Sequence, residues 1–150
     1  MRNEEVDLRE IIHELSEEWT PVAKEKGLDF LTHTANSVII RESNYSMVLI
    51  MIQNAIINAI RYTPAQGSVN LSVYGGEEST VVEVSDTGNG IPPELIQQVK
   101  SGLVFLKDAN SEKSGFGLQI MHKIAMYLDI ELSIVSSEKG TKIQFAFKTT

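Results

Sequence analysis

The sequence predicts an α+β fold: a two-layer α/β sandwich whose mixed, mostly antiparallel sheet is covered on one face by three helices. Three long stretches, near 7–26, 44–62 and 115–128, carry helical character. Between and after them lie short strand-like runs, and two pairs of these are joined by glycine turns at Gly75-Gly76 and Lys139-Gly140, the signal of hairpins. The 150 residues are enough for one domain, 1–150, with a core of its own.

In chain order, Leu8, Ile11, Ile12, Leu15, Trp19, Val22 and Ala23 form one apolar stripe on a first helix, which Gly27 ends as a C-cap. Residues 28–33 and 38–40 read as short strands with a turn at Asn36. Asn44 or Ser43 caps a second helix that runs to Tyr62 and is stopped by Pro64. Residues 68–74 and 80–85 alternate as strands, 86–93 is a Gly/Pro-rich loop, and 94–99 is a short helix. Residues 100–114 are polar and without period, a mobile loop. A third long helix, 115–128, precedes a closing hairpin of 130–136 and 141–148.

Composition excludes several functions. With no cysteine there is neither a disulfide nor a thiolate metal site. No apolar run is long enough to cross a membrane, and the N-terminus lacks a signal-peptide layout, so the domain is expected in the cytoplasm with no direct membrane contact, whatever anchors the full-length protein. A net charge of −7 argues against nucleic acid, which calls for a basic face. It does not argue against a nucleotide, because phosphate is recognised locally by backbone amides, a metal and one or two cations.

Three segments carry possible chemistry. On the second helix Val48, Leu49, Ile52, Ile56, Ala59 and Ile60 face the core, while Asn54, Asn58 and Arg61 share the other side with Met47, Ile50 and Met51. Amides on a half-apolar face need partners, either polar ligand atoms or neighbouring loops. After the fourth predicted strand, Asp86 points the same way as Val82 and Val84, so it ends a row of valines and needs a donor such as an exocyclic amine. Asp86-Thr87-Gly88-Asn89-Gly90-Ile91 is either a ligand loop or a plain tight turn. Finally, Ser114-Gly115-Phe116-Gly117-Leu118 opens the third long helix, whose free amides attract phosphate; it follows no strand in a βαβ unit, so a Rossmann site is a poor fit.

In this order and spacing the segments resemble the GHKL ATPase superfamily, and specifically the ATP-binding catalytic domain of sensor histidine kinases, which has the Bergerat fold. Residues Asn54-Ala55-Ile56-Ile57-Asn58-Ala59-Ile60-Arg61-Tyr62-Thr63-Pro64 match its N box, 86–91 its G1 box and 114–118 its G2 box. Gly140-Thr141 matches the pair before its last strand, and Val6-Asp7-Leu8-Arg9 resembles its lead-in. The resemblance implies ATP and Mg²⁺ as cofactors. It implies that Asn58 binds the metal, Arg61 reaches phosphate and Tyr62 flanks adenine. Asp86 would accept from adenine N6, with Gly88, Gly90 and Ile91 forming that wall and Thr141 supporting it. Ser114, Gly115, Phe116, Gly117 and Leu118 would lie at the phosphates under a lid of 100–114. Asn54 stands where related ATPases carry a glutamate base; an amide takes no proton from water, so efficient hydrolysis is not expected, whereas transfer to an imidazole remains feasible by positioning.

The chain departs from the pattern at Lys113, where the G2 box often has glycine, and in its F box, for which Phe105 is the only candidate. Lys100, Lys107 and Lys113 are more simply solvated loop charges than phosphate ligands. His13-Glu14-Leu15 looks like the start of a phosphoacceptor box, but Ser16-Glu17-Glu18 follows and His13 falls off the apolar stripe, so it is expected on the surface. His33 and His122 lack ligand spacing for zinc. The implied partners are a phosphoacceptor-histidine dimerisation domain of the same kinase and a response regulator, with the isolated domain a monomer. The alternatives are a serine kinase of the anti-sigma-factor type, which tends to keep a glutamate at the position of Asn54, and a degenerate nucleotide-binding or partner-binding module.

Overall fold

A computed structural model describes residues 4–34, 38–75, 79–100 and 116–148. Seven strands and four helices alternate as β1 (Glu4–Asp7), α1 (Leu8–Glu25), β2 (Asp29–His33), β3 (Ile39–Ser43), α2 (Tyr45–Tyr62), β4 (Ser68–Gly75), β5 (Ser79–Asp86), α3 (Pro93–Lys100), α4 (Phe116–Tyr127), β6 (Glu131–Ser137) and β7 (Gly140–Lys148) among the described residues. The main sheet has the order β2-β4-β5-β7-β6; β2 and β4 are parallel and the other neighbours antiparallel. It is thus the mixed, mostly antiparallel sheet the sequence predicts. The short helix α3 makes a fourth beside the three long ones.

The helix ends follow from local chemistry. Asp7 caps α1 by accepting from the Arg9 amide at 3.0 Å. Gly27 follows the α1 C-cap at φ +85, where a side chain would be strained. Asn44, not Ser43, caps α2: its Oδ1 accepts from the Met47 amide at 2.9 Å. At the other end of α2 Thr63 is extended (φ −107, ψ 117), as the residue before Pro64 is biased to be. The α4 stop lacks glycine, and Asp129 takes the left-handed conformation instead, at φ 58.

Alternation along the strands makes the sheet two-faced. Val69, Leu71 and Val73 of β4, Val82 and Val84 of β5, and Ile143, Phe145 and Phe147 of β7 are buried. On the opposite face Tyr74, Glu83 and Gln144 link three adjacent strands by hydrogen bonds of 2.8–2.9 Å. Leu8, Ile11, Ile12, Leu15 and Ala23 of α1 are buried with them, but Val22 is 41% exposed and leaves the stripe the sequence suggested. The helix α2 is covered on more than its predicted core side. Met51 and Asn58 are buried together with Val48, Ile52, Ile56, Ala59 and Ile60, because α4 and α1 pack on α2 in addition to the sheet.

Two features escaped the sequence reading. β1 is a four-residue strand of mostly acidic residues, too short and polar to show a period, yet it pairs antiparallel with β3 in a separate two-stranded sheet. The Glu4 carboxylate accepts from the Tyr45 amide at 2.9 Å, and Tyr45 donates its hydroxyl to Glu14 at 2.8 Å, so β1 and α1 both grip the start of α2. Burial, and then the hydrogen-bonded Glu14, push the Tyr45 hydroxyl up to about 12.

Candidate functional site

At one end of the sheet a single cross-strand row runs Phe30, Val69, Asp86, Thr141, Ser136, through β2, β4, β5, β7 and β6. Residues paired in this way point to the same face, here the helix-covered one. The row therefore changes from apolar to polar where Asp86 ends β5. As Val82 and Val84 are buried on that same face, the valine row capped by a carboxylate is present as the sequence predicts.

Asp86 is partly buried, and its donors are supplied by its own loop and by β7. Oδ1 accepts from the Gly88 amide at 2.8 Å and from the Thr141 amide at 3.3 Å. Burial pushes the carboxyl above its usual range, and the Gly88 amide, the Thr141 amide and the Thr63 hydroxyl pull it part of the way back. The Thr63 hydroxyl is fully buried and also lies 2.6 Å from the Ala59 carbonyl; with one hydrogen it serves one of these acceptors at a time.

The loop after β5 is pressed against the end of α2. The Asn89 amide donates to the Tyr62 carbonyl at 3.1 Å. A Cβ on Gly88 would run into the Tyr62 carbonyl oxygen and lie 2.9 Å from the Thr63 hydroxyl, so glycine is required by close approach. Gly90, at φ +91, turns the loop back onto β6, where the Ile91 amide donates to the Ser136 hydroxyl at 2.8 Å. That hydroxyl is 2.7 Å from the Thr141 hydroxyl.

The polar side of α2 meets the start of α4. A Cβ on Gly117 would lie 2.9 Å from Asn54 Oδ1. The Asn54 amide nitrogen turns back to the Ile50 carbonyl of its own helix at 2.8 Å. Asn58 is only 5% exposed, and its Nδ2 has no hydrogen-bond partner among the described residues, an expensive state for a buried amide. Arg61 is exposed and lines a cavity of about 520 Å³ with Trp19, Lys26, Ile57 and Ile60. Lys26 donates to the Ile60 and Arg61 carbonyls, placing a cation at the negative end of α2.

The three segments singled out by sequence therefore converge. Tyr62 and the loop of Gly88 and Gly90 touch, Thr141 and Asp86 share a bond, and Asn54 borders Gly117, with Leu118 buried just behind it. Phe116 opens α4; Ser114, Gly115, Phe105, Lys107, Lys113 and the rest of the expected lid beyond Lys100 lie outside the described residues. His13 is on the surface, paired with Glu17 at 2.6 Å. Thr63, Ser136 and Lys26 were not singled out by the sequence. Only Thr63 carried a signal, as a hydroxyl inside the Tyr62-Thr63-Pro64 string.

Residues 44–150 match the family described as histidine kinase-, DNA gyrase B- and HSP90-like ATPase. The chain belongs to that family. It is 33% identical over 119 residues to the adaptive-response sensory kinase SasA of Microcystis aeruginosa, covering 78% of this chain and 31% of that protein. It is 26% identical over 136 residues to the sensor protein CreC of Escherichia coli, covering 90% of this chain and 28% of that protein. The chain thus spans about a third of the length of the curated relatives it matches. In structure it resembles the nucleotide-free catalytic domain of histidine kinase ThkA, at TM-score 0.83 and 23% identity over 100% of this chain and 97% of that one. These curated relatives are named sensor kinases, and the serine-kinase alternative is not favoured. No described helix is long and apolar enough to cross a membrane.

Proposed function

We propose that residues 1–150 form the ATP-binding catalytic domain of a two-component sensor histidine kinase. In this reading it transfers the γ-phosphoryl group of ATP to a histidine on a dimerisation hairpin outside these residues. The observation that carries the reading is the Asp86 carboxylate at the end of the buried valine row. Two backbone amides fix its Oδ1 and the Thr63 hydroxyl also donates to the carboxylate, whose remaining lone pairs suit an exocyclic amine.

Around that anchor, Gly88, Gly90 and Ile91 form one wall of the adenine pocket, Thr141 supports it, and Tyr62 flanks the base. Ser114, Gly115, Phe116, Gly117 and Leu118 lie at the phosphates, under a lid of about 100–114. Asn54 and Arg61 serve the transfer itself, Asn54 as a neutral positioning group and Arg61 as a phosphate cation. Asn58 fits a Mg²⁺ role through its Oδ1, a neutral oxygen ligand, while its buried Nδ2, without a partner among the described residues, is a donor for a phosphate oxygen. Bound Mg²⁺ would neutralise phosphate charge.

The imidazole lone pair attacks the γ-phosphorus, the bond to the bridging oxygen breaks, and its electrons leave on ADP. With an amide at position 54 no side chain there takes a proton from water, so hydrolysis stays slow. The acceptor histidine then hands its phosphoryl group to a response regulator. We place the domain in the cytoplasm, as a monomer without direct membrane or nucleic-acid contact.

Calorimetric titration with a non-hydrolysable ATP analogue, with and without Mg²⁺, tests this. One-to-one binding that Asp86→Asn abolishes is expected. Absence of binding up to millimolar nucleotide would leave a degenerate partner-binding module as the better account.

A further inference from the structure

Besides the bonds between Thr87 and Ser68, the loop from Asp86 to Ile91 is fastened at three further points. Its start is held by the bond between Gly88 and the Asp86 carboxylate, and its middle by Asn89 on the Tyr62 carbonyl. The third fastening comes from β6, whose Ser136 hydroxyl accepts from the Ile91 amide at 2.8 Å.

The placement of Ser136 is set by register. It lies directly opposite Thr141, which lies directly opposite Asp86, so the three polar side chains occupy adjacent strands in one row on one face. The two hydroxyls are 2.7 Å apart, and either is the donor. A Cβ on Gly90 would come within 3.1 Å of the Ser136 hydroxyl and would collide with the Ser137 carbonyl, so the loop lies flat on the end of β6. Ile91 is 4% exposed; without Ser136 its amide is left in a dry place with no acceptor.

We propose that Ser136 is a positioning residue for nucleotide binding. Its hydroxyl latches the end of the glycine loop to β6 and, through Thr141, holds the side of the pocket next to Asp86. It acts through Ile91 and Thr141 rather than on the ligand. The inference rests on the ATP reading of this site.

Because the latch is at the base end, its loss weakens every adenine nucleotide by the same factor and leaves the increment from the γ-phosphate unchanged. Removing one hydroxyl that serves two partners corresponds to about a 5- to 20-fold loss of affinity. The experiment measures ATP and ADP affinity by calorimetry for the unsubstituted chain, Ser136→Ala and Ser136→Thr, and amide exchange at Ile91. The expected result is an equal loss for ATP and ADP in Ser136→Ala, faster exchange at Ile91 with the Ile143 and Phe145 amides unchanged, and recovery in Ser136→Thr, which keeps the hydroxyl.

Affinities in Ser136→Ala within twofold of the unsubstituted chain overturn the proposal. So does a loss that Ser136→Thr shares, or one that falls on ATP more than on ADP. If the unsubstituted chain binds neither nucleotide, the ATP reading fails first and this inference goes with it. If it binds both and Ser136→Ala changes nothing, this inference alone fails.

Discussion

The two ends of the candidate site are built in opposite ways. At the end of β5, the polar groups of four chain segments are already paired with one another: Asp86 with Gly88 and Thr141, Ile91 with Ser136, Asn89 with Tyr62. Along α2, among the described residues, Asn54 bonds to a carbonyl one turn back in its own helix, and Asn58 carries a buried nitrogen with no partner. The first end is organised before any ligand arrives; the second, among the described residues, keeps a buried donor without a partner. Pre-organisation reduces the ordering cost of binding, so the base end should set affinity and the α2 end should respond to what the phosphates bring.

The largest effect should follow Asp86→Asn. The amide oxygen still accepts from Gly88 and Thr141, but the amide nitrogen now faces the donor of the base. Losing one charge-assisted bond and opposing two donors should weaken ATP by about 100-fold or more. Stability should behave differently. The folded-state pKa of Asp86 is raised above its ordinary value of 3.8. Folding thus favours the protonated form, and that contribution is complete below the ordinary value and lost as pH rises through the folded-state pKa. At neutral pH the charge is a net burden, so Asp86→Asn should melt no lower than the unsubstituted chain. ATP affinity, in contrast, should fall on acidification, starting at a higher pH than an ordinary carboxylate would give. A Tm that drops with the affinity would show that the carboxylate holds the fold and is not reserved for a ligand.

Gly88→Ala comes next. The added Cβ meets the backbone carbonyl of Tyr62, which cannot swing aside as a side chain can, together with the Thr63 hydroxyl. Overpacking of this kind costs about 1–3 kcal/mol, so both Tm and ATP affinity should fall, the latter by about tenfold. Unchanged affinity would mean that the loop is not clamped to α2 as the close approach implies.

The contrast between the two ends also explains what was legible in the sequence. Asp86 could be picked out because strand alternation put it on the face of Val82 and Val84, and the helix of Asn54 and Asn58 showed its polar stripe against apolar neighbours. The fold class was readable for the same reason, since helix and strand periods are properties of local sequence. Ser136 was not readable, because its role depends on which residue of β7 it sits opposite, and register is a long-range fact. β1 was hidden because four residues with three carboxylates show no period, and its pairing with β3 is carried by backbone. The burial of Asn58 was missed because sequence says which side of a helix is apolar but not how many neighbours cover it.

At the α2 end, Asn58→Leu sharpens the comparison. Replacing a buried amide whose nitrogen has no partner among the described residues by an apolar group of similar size should raise stability by about 1 kcal/mol, a Tm increase of about 2–4 °C for a domain of this size. ATP affinity without Mg²⁺ should stay close to that of the unsubstituted chain, and the enhancement by Mg²⁺ should be lost. A fall in stability would show that the amide has a partner in solution and that this end is as organised as the other.

The smallest effect is expected for Gly117→Ala, and it separates a flexible obstacle from a rigid one. The new Cβ lies 2.9 Å from Asn54 Oδ1, the far end of a side chain that is only partly buried. Asn54 can rotate away by giving up its bond to the Ile50 carbonyl, a loss of about 1 kcal/mol. Alanine in place of glycine inside α4 returns about 0.5–1 kcal/mol through helix propensity, so Tm should hardly move. Phosphoryl transfer to a supplied phosphoacceptor domain should slow by only a few-fold, because Asn54 is displaced rather than removed. A hundred-fold loss with normal ATP binding would mean that Asn54 must stand where it does for the transfer itself. In that case the α2 end is pre-organised for chemistry even though it is not pre-organised for binding.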